Sequence, residues 1–194
     1  MTHPAEWNPI PHRLDVRCPA CARGAEFEFA EVVRIERKAD IPAFEAHSQL
    51  EYHRFTNPSL GQDWHGAVFF AGLHGSAQTL RDLPDGYYST DWEHPRYLRA
   101  EVGLGWGSVR CSCGLRQKHT LNWPLEAYYQ VEYRGHGLWA FHREAAIDLR
   151  NYVASEHRVR SNYRWEAMLR HVPSAFLAAK ARDTVVKRLD RLLK

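Results

Sequence analysis

Two closely spaced cysteine pairs, about 90 residues apart, constrain this chain more than any other feature of its sequence. Cys18 and Cys21 are separated by two residues, and Cys111 and Cys113 are separated by one. Both pairs follow the dipeptide Val-Arg, a pattern that is typical of a strand running into a tight turn. A turn this short places both sulfurs on the same side, which is what two thiolates need in order to bind one ion. The cysteines therefore predict that two distant turns meet at a shared metal ion.

Whether these cysteines bind metal or form disulfides depends on the cellular compartment of the protein. The N-terminus has no basic segment followed by an apolar core, and the longest apolar stretch, Ala67 to Leu73, is far shorter than the roughly 20 residues of a membrane span. We therefore expect a cytoplasmic protein with no membrane partner. In the reducing cytoplasm cysteines remain thiols unless a metal holds them. Four thiolates complete the closed shell of a structural site, so we predict one Zn²⁺ on these residues. A reduced thiol cluster, disulfides and an iron centre are the alternatives.

Other residues near the pairs are candidates for supporting roles. Four thiolates around Zn²⁺ carry a net charge of about −2, which favours hydrogen-bond donors nearby. Four arginines flank the two turns and either donate to sulfur or project into water: Arg17, Arg23, Arg110 and Arg116. His119 lies six residues after Cys113 and is a candidate to replace one cysteine as a ligand.

The Cys-x-x-Cys and Cys-x-Cys-Gly turns resemble the two knuckles of a zinc ribbon, over about 20 residues around each pair. The resemblance implies zinc and a small antiparallel sheet, but it implies no particular partner. The chain departs from the usual ribbon because one pair has a single intervening residue and 89 residues, 22 to 110, separate the two pairs. We interpret the middle of the protein as an insertion between the knuckles.

Periodicity predicts an α+β fold. Glu26 to Arg37 alternates aromatic or β-branched residues with charged ones, which indicates a strand, and Ala67 to Leu73 is typical of a short buried strand. The rest of the middle is rich in proline and glycine, and we expect short strands and loops there. Two helices are predicted, over Leu138 to Ser155 and from Pro173 to Leu193, because apolar residues recur there every three or four positions.

These elements predict one domain with two parts. Residues 1–135 form a β-rich, zinc-stapled body with the long insertion between its knuckles. Residues 136–194 form a basic helical section that packs against this body.

Positive charge is concentrated at the C-terminal end. Residues 158–194 carry a net charge of +7, whereas the first 157 residues carry −4. A basic section on an acidic body favours an anionic partner, either nucleic acid or an acidic protein. The candidate contact residues are Arg158, Arg160, Arg164, Lys187, Arg188 and Arg191. The alternative is that this charge only solvates one face of an amphipathic helix.

Two further functions are considered for the middle segment. One is a metal-dependent hydrolase or nuclease that uses Asp63, His65, His74, Asp91, Glu93 and His94. No pair of these residues has a recognised ligand spacing such as His-Glu-x-x-His, and no nucleophile turn or phosphate loop is present in the sequence. The other is a protein–protein adaptor whose aromatic middle is an assembly surface. We expect a non-enzymatic zinc-binding protein; the sequence specifies no oligomeric state.

Overall fold

The computed structural model describes residues 10–57, 61–92 and 105–194. These ranges contain nine strands and six α-helices, so the fold is α+β as predicted. The strands are β1 Arg13–Arg17, β2 Gly24–Phe29, β3 Glu31–Arg34, β4 Leu50–Asn57, β5 Gln62–Phe69, β6 Trp106–Arg110, β7 Arg116–Thr120, β8 Gln130–Tyr133 and β9 His136–Trp139. The helices are α1 Ile41–Ala46, α2 Ala71–His74, α3 Arg143–Ala154, α4 Glu166–Leu169, α5 Ser174–Leu177 and α6 Ala179–Leu192. In these three ranges no helix is both long and apolar enough to cross a membrane.

The chain divides into two compact units. Of the described residues, the first unit contains 10–26, 111–113 and 122–194, and the second contains the remainder. The two-stranded sheet β8-β9 lies in the first unit and the three-stranded sheet β3-β5-β4 lies in the second. A four-stranded sheet has the order β1-β2-β6-β7.

A tight hairpin in the first unit changes where the first C-terminal helix begins. Arg134 and Gly135 both have positive φ angles, of 52° and 76°, which is the pattern of a two-residue type I′ turn. The turn pairs β8 with β9, so the positions from which a helix is predicted are strand residues. The prediction of a helix starting at Leu138 is therefore wrong. The helix begins at Arg143, after His142, whose Nδ1 accepts a hydrogen bond from the third residue of the helix at 3.4 Å.

The second predicted helix is also divided. Instead of one helix from Pro173 to Leu193, α5 and α6 are separated by Ala178, which has the extended angles φ −65° and ψ 142°. On either side of this break, Phe176 and Val185 are fully buried. The spacing of the apolar residues correctly predicts that the segments on both sides of Ala178 are helical. It does not predict that the chain changes direction at Ala178.

The second unit is built on a longer hairpin than the sequence suggests. Strands β4 and β5 pair over eight residues each, from Leu50 opposite Phe69 to Asn57 opposite Gln62. The prediction of a single short strand over Ala67 to Leu73 is wrong, because β5 ends at Phe69 and α2 follows it. The first half of β5 is polar and partly exposed, and this conceals the strand from a search for apolar residues.

The three-stranded sheet of this unit is covered on both faces. One cluster contains Val33, Phe44 and Phe69, and another contains Val32 and Val68. Neighbouring residues of β3 and of β5 thus contribute to different clusters, as alternate strand side chains do. Among the described aromatic residues of the middle segment, Phe55, Phe69, Phe70 and Trp92 are buried, whereas Tyr88 is exposed.

The strand predicted over Glu26 to Arg37 is two strands, β2 and β3. They are separated at Ala30, whose backbone N–H donates to the Trp106 carbonyl at 2.9 Å. Close approach of backbones also explains a glycine in β6. A Cβ atom at Gly107 would lie 2.3 Å from the Glu28 carbonyl oxygen and from the Phe27 ring. Strand packing therefore requires a glycine at this position of β6.

Candidate metal centre

The first cysteine pair lies in the turn between β1 and β2. The N–H of Cys18 donates to the Arg23 carbonyl at 2.8 Å, and the N–H of Ala22 donates to the Cys18 carbonyl at 2.9 Å. Ala22 has a φ of 59°, in the left-handed region. These bonds close a tight loop that turns the side chains of Cys18 and Cys21 to the same side.

The second pair lies in the turn between β6 and β7. Arg110 and Arg116 are the last paired residues of the two strands, and Cys111 and Cys113 lie between them. Gly114 has a φ of 96°, a conformation that glycine adopts without steric cost. The prediction that a strand enters a tight turn at each cysteine pair is confirmed.

The four sulfurs converge. The Sγ atoms of Cys18 and Cys113 are 3.7 Å apart, those of Cys21 and Cys111 are 3.6 Å apart, and all four lie within 4.8 Å of one another. With metal–sulfur bonds of about 2.3 Å, the edge of a regular tetrahedron of sulfurs is about 3.8 Å. None of the four cysteines is in a disulfide, because sulfurs at these distances are not bonded to each other. The four residues can therefore hold one tetrahedral metal ion.

The sulfurs differ in exposure and in acidity. Cys18 is buried, Cys21 and Cys111 are half-buried and Cys113 is exposed. A hydrogen bond from the Arg23 guanidinium, together with one from the Arg23 backbone, lowers the pKa of Cys21 to about 6. A backbone hydrogen bond from Cys113 is the main cause that lowers the pKa of Cys111. Thiolates are the form that binds metal, so both effects favour a loaded site at neutral pH.

Two of the four flanking arginines have clearly different roles. Arg23 Nε donates to the Cys21 sulfur at 3.5 Å, whereas Arg116 Nε donates to the Gly72 carbonyl at 2.8 Å. The expectation that some of these arginines donate to sulfur is thus met by Arg23.

The other residues considered as ligands are placed elsewhere. His119 lies edge-on to the Phe27 ring, with centroids 6.1 Å apart. His65 is hydrogen-bonded to the Tyr52 hydroxyl at 2.8 Å, and Asp63 accepts a hydrogen bond from Thr56 at 2.7 Å. Over the described part of the chain, the four cysteines are the one group of three or more His, Cys, Asp or Glu residues whose ligand atoms converge. Among the hydrolase candidates, Glu93 and His94 lie outside the described residues.

The six basic candidates of the C-terminal section fall into two sets. Three of them are engaged by other groups of the first unit, namely Arg158, Arg164 and Arg188. The other three, Arg160, Lys187 and Arg191, are exposed. Lys180 is also exposed, although it is not among the residues predicted from the sequence. Its seven-residue spacing from Lys187, two helical turns, is the signal that would have included it.

Comparison of the chain with protein-family models, with curated proteins and with solved structures finds no match.

Proposed function

We propose that this protein binds one Zn²⁺ as a structural ion and is not an enzyme. The observation that carries the proposal is the convergence of four sulfurs at spacings close to those of a tetrahedral zinc–thiolate site. Four thiolates leave no position for water or substrate, which distinguishes a structural zinc from a catalytic one. A tetrahedral all-sulfur set selects zinc or iron among the common metals, and zinc needs no redox partner.

The ion would join two turns that lie 90 or more positions apart in the chain. The Arg23 guanidinium supports this proposal, because it donates to one sulfur and partly balances the negative charge of the thiolates. Cysteines that hold a metal instead of forming disulfides are compatible with a reducing compartment, and we propose a cytoplasmic location.

Metal content tests the proposal. We expect purified wild-type protein to contain about one zinc per chain by elemental analysis, as one closed four-cysteine site requires. Cys111→Ser removes one sulfur and should reduce zinc content to a small fraction of that value. Ser112→Ala is the matched control, because Ser112 is exposed in the same turn and is not in the sulfur group.

Two outcomes would contradict the proposal. One is wild-type protein that contains no zinc after expression in zinc-supplemented medium. The other is a Cys111→Ser protein that retains as much zinc as the Ser112→Ala protein. Stoichiometric iron in place of zinc would contradict the choice of metal but not the site.

We further infer that the basic section, residues 158–194, contacts an anionic partner, either nucleic acid or an acidic protein. The net charge of +7 over these residues supports this inference. In this proposal zinc holds the fold and the basic residues meet phosphates or carboxylates. Retention of the protein on duplex DNA or on poly-glutamate at low salt tests it, and absence of binding to both would overturn it.

A further inference from the structure

The basic residues of the C-terminal section are not equally available. Five of the ten donate to or pair with groups of the same unit: Arg158 with the Leu177 carbonyl, Arg164 with Glu144, Arg170 with Glu166, Arg182 with Glu156 and Arg188 with the Glu132 carbonyl. A cation that already has a partner loses that interaction when it meets a phosphate. The remaining cations are the ones to consider for a binding surface.

Three of the remaining cations lie on one face of α6. Lys180, Lys187 and Arg191 are separated by seven and four residues, so they fall within about 40° of one another around the helix axis. The opposite side of α6 buries Ala181, Val185 and Leu189 in the first unit. We call Lys180, Lys187 and Arg191 the basic face.

The basic face is exposed and its cations are available. Among the described residues, the structure gives no hydrogen bond or ion pair to the side chains of Lys180, Lys187 or Arg191. The acidic residue on the same side, Asp183, is exposed and leaves the face with net positive charge. Asp190, on the flank, is already paired with Arg150 at 2.8 Å.

We propose that the basic face contacts the phosphate backbone of double-stranded nucleic acid. This inference rests on the proposed contact between the basic section and an anionic partner, and it assigns that contact to one helix face and one class of ligand. The face extends about 16 Å along the axis, because its ends are 11 residues apart at about 1.5 Å per residue. A duplex presents one phosphate charge for every ~1.7 Å of its axis, so three cations at this spacing all find phosphates within reach.

The composition of the face favours nucleic acid over the other anionic surfaces. The exposed residues of α6 are Ala179, Lys180, Asp183, Lys187, Arg188 and Arg191. None of these has a large apolar or aromatic side chain, so the helix has nothing to insert into a membrane interface. A protein interface would be expected to centre on buried aromatic or aliphatic anchors, which this face also lacks. Phosphate contacts need only exposed positive charge.

The affinity for duplex DNA as a function of salt tests the proposal. Each phosphate contact contributes about −0.9 to the slope of log K against log salt, so the basic face contributes about −2.7. Lys187→Gln with Arg191→Gln should reduce the magnitude of the slope by about 2 and weaken binding roughly 60-fold at 0.1 M salt. The probe is a fluorescently labelled, mixed-sequence DNA duplex of about 20 base pairs, a length that exceeds the face.

The matched control removes the same charge from paired cations. Arg34→Gln with Arg37→Gln also lowers the net charge by two, but both arginines lie outside the basic section and are ion-paired with Glu36 and Asp40. We expect this control to keep the wild-type slope. Zinc content and circular dichroism of both variants should equal those of the wild type, because all four positions are exposed.

Three results would overturn the inference. The first is that the two double variants lose affinity equally, which would mean that only net charge matters. The second is that the basic-face variant binds duplex DNA as tightly as the wild type does. The third is that the wild-type protein binds poly-glutamate or anionic phosphatidylserine vesicles more tightly than it binds the duplex. The first two results would not contradict the proposal that the basic section contacts an anionic partner. Absence of binding to every polyanion would remove both proposals together, while the zinc assignment is tested separately by metal content.

Discussion

At the scale of single residues, Arg23 has the largest effect on the chemistry of the cysteines. Its guanidinium donates to the Cys21 sulfur, and this bond is the first of the causes that lower the pKa of Cys21 to about 6. An ordinary cysteine has a pKa near ~8.5, so at neutral pH it is mostly protonated. In the metal-free protein Cys21 is therefore mostly thiolate at pH 7.

This predicts a specific effect of Arg23→Gln on alkylation of Cys21 by iodoacetamide. In the wild-type protein, kept reduced and free of metal by a chelator, the rate should level off above about pH 7, because the thiolate is then fully formed. The variant should raise the pKa of Cys21 toward ~8.5 and slow alkylation roughly two- to threefold at pH 7, because greater intrinsic nucleophilicity offsets most of the ~30-fold loss of thiolate. Peptide mass spectrometry follows the modified residue.

Arg17→Gln is the control for this experiment. Arg17 precedes the same turn and is not among the groups that lower the pKa of Cys21. Its removal should leave the rate unchanged. Equal rates in wild-type and Arg23→Gln protein at pH 7 would show that Arg23 does not activate the thiol.

The sequence identifies the four ligand residues because the two cysteines of each pair lie within one short turn, and this spacing can be recognised without knowledge of the fold. It does not identify which arginine reaches a sulfur. Arg23 does so because the turn between β1 and β2 ends at that residue, whereas Arg116 lies in β7 and donates to the Gly72 carbonyl. That distinction depends on the direction of each side chain, which residue type alone does not specify.

At the scale of elements, Asp15 links β1 to the start of α3. Its backbone N–H donates to the Phe141 carbonyl at 2.8 Å, and its carboxylate accepts a hydrogen bond from the Arg143 N–H at 2.9 Å. The first N–H groups of a helix have no partner within the helix, so a carboxylate at this place satisfies one of them. Burial is nevertheless the dominant influence on this group, and it raises the pKa of Asp15 above its ordinary 3.8.

Two substitutions separate the hydrogen bond from the charge. Asp15→Ala removes the acceptor and should lower the free energy of unfolding by about 1 kcal/mol, the typical cost of losing such a cap. Asp15→Asn keeps an acceptor but does not ionise. A raised pKa means that the contribution of Asp15 to stability is complete below about pH 4 and is lost as the pH rises through the folded-state value.

The stability of Asp15→Asn relative to wild type should therefore increase from about pH 4 to about pH 7. Urea unfolding at the two pH values measures this difference. A difference that stays constant, or one that favours the wild type more at the higher pH, would contradict the assigned effect of burial on Asp15.

Element boundaries show where sequence patterns stop being informative. The apolar stripe of α6 is predicted correctly, since Ala181, Val185 and Leu189 are its buried residues. The strand β9 is mistaken for the first turn of a helix, because Leu138 and Trp139 are apolar in either structure. The glycine of the two-residue turn before β9 is a sequence signal for a hairpin. It indicates a hairpin only once β8 is known to pair with β9.

At the scale of the whole molecule, the cysteine pairs provide the longest-range prediction that the sequence supports. Convergence of Cys18 with Cys113, 95 positions apart, is inferred only because a tetrahedral ion needs four ligands. The three-stranded sheet of the second unit has no comparable marker. Its strands are held by backbone pairing and by apolar clusters, so neither their order nor their register follows from residue types alone.

A metal that joins distant turns stabilises the chain because it binds the folded state, in which the four sulfurs converge, and not the unfolded chain, in which they are far apart. The free energy of the metal–thiolate bonds also offsets the entropy lost when a chain segment of this length is closed into a loop. The stability of the protein is therefore expected to depend on metal supply.

X-ray absorption at the zinc edge, on the protein as purified, shows directly whether four cysteines hold the ion. We expect zinc surrounded by four sulfur atoms at about 2.3 Å, with no nitrogen or oxygen neighbour. A shell that contains nitrogen or oxygen, or fewer than four sulfurs, would contradict it.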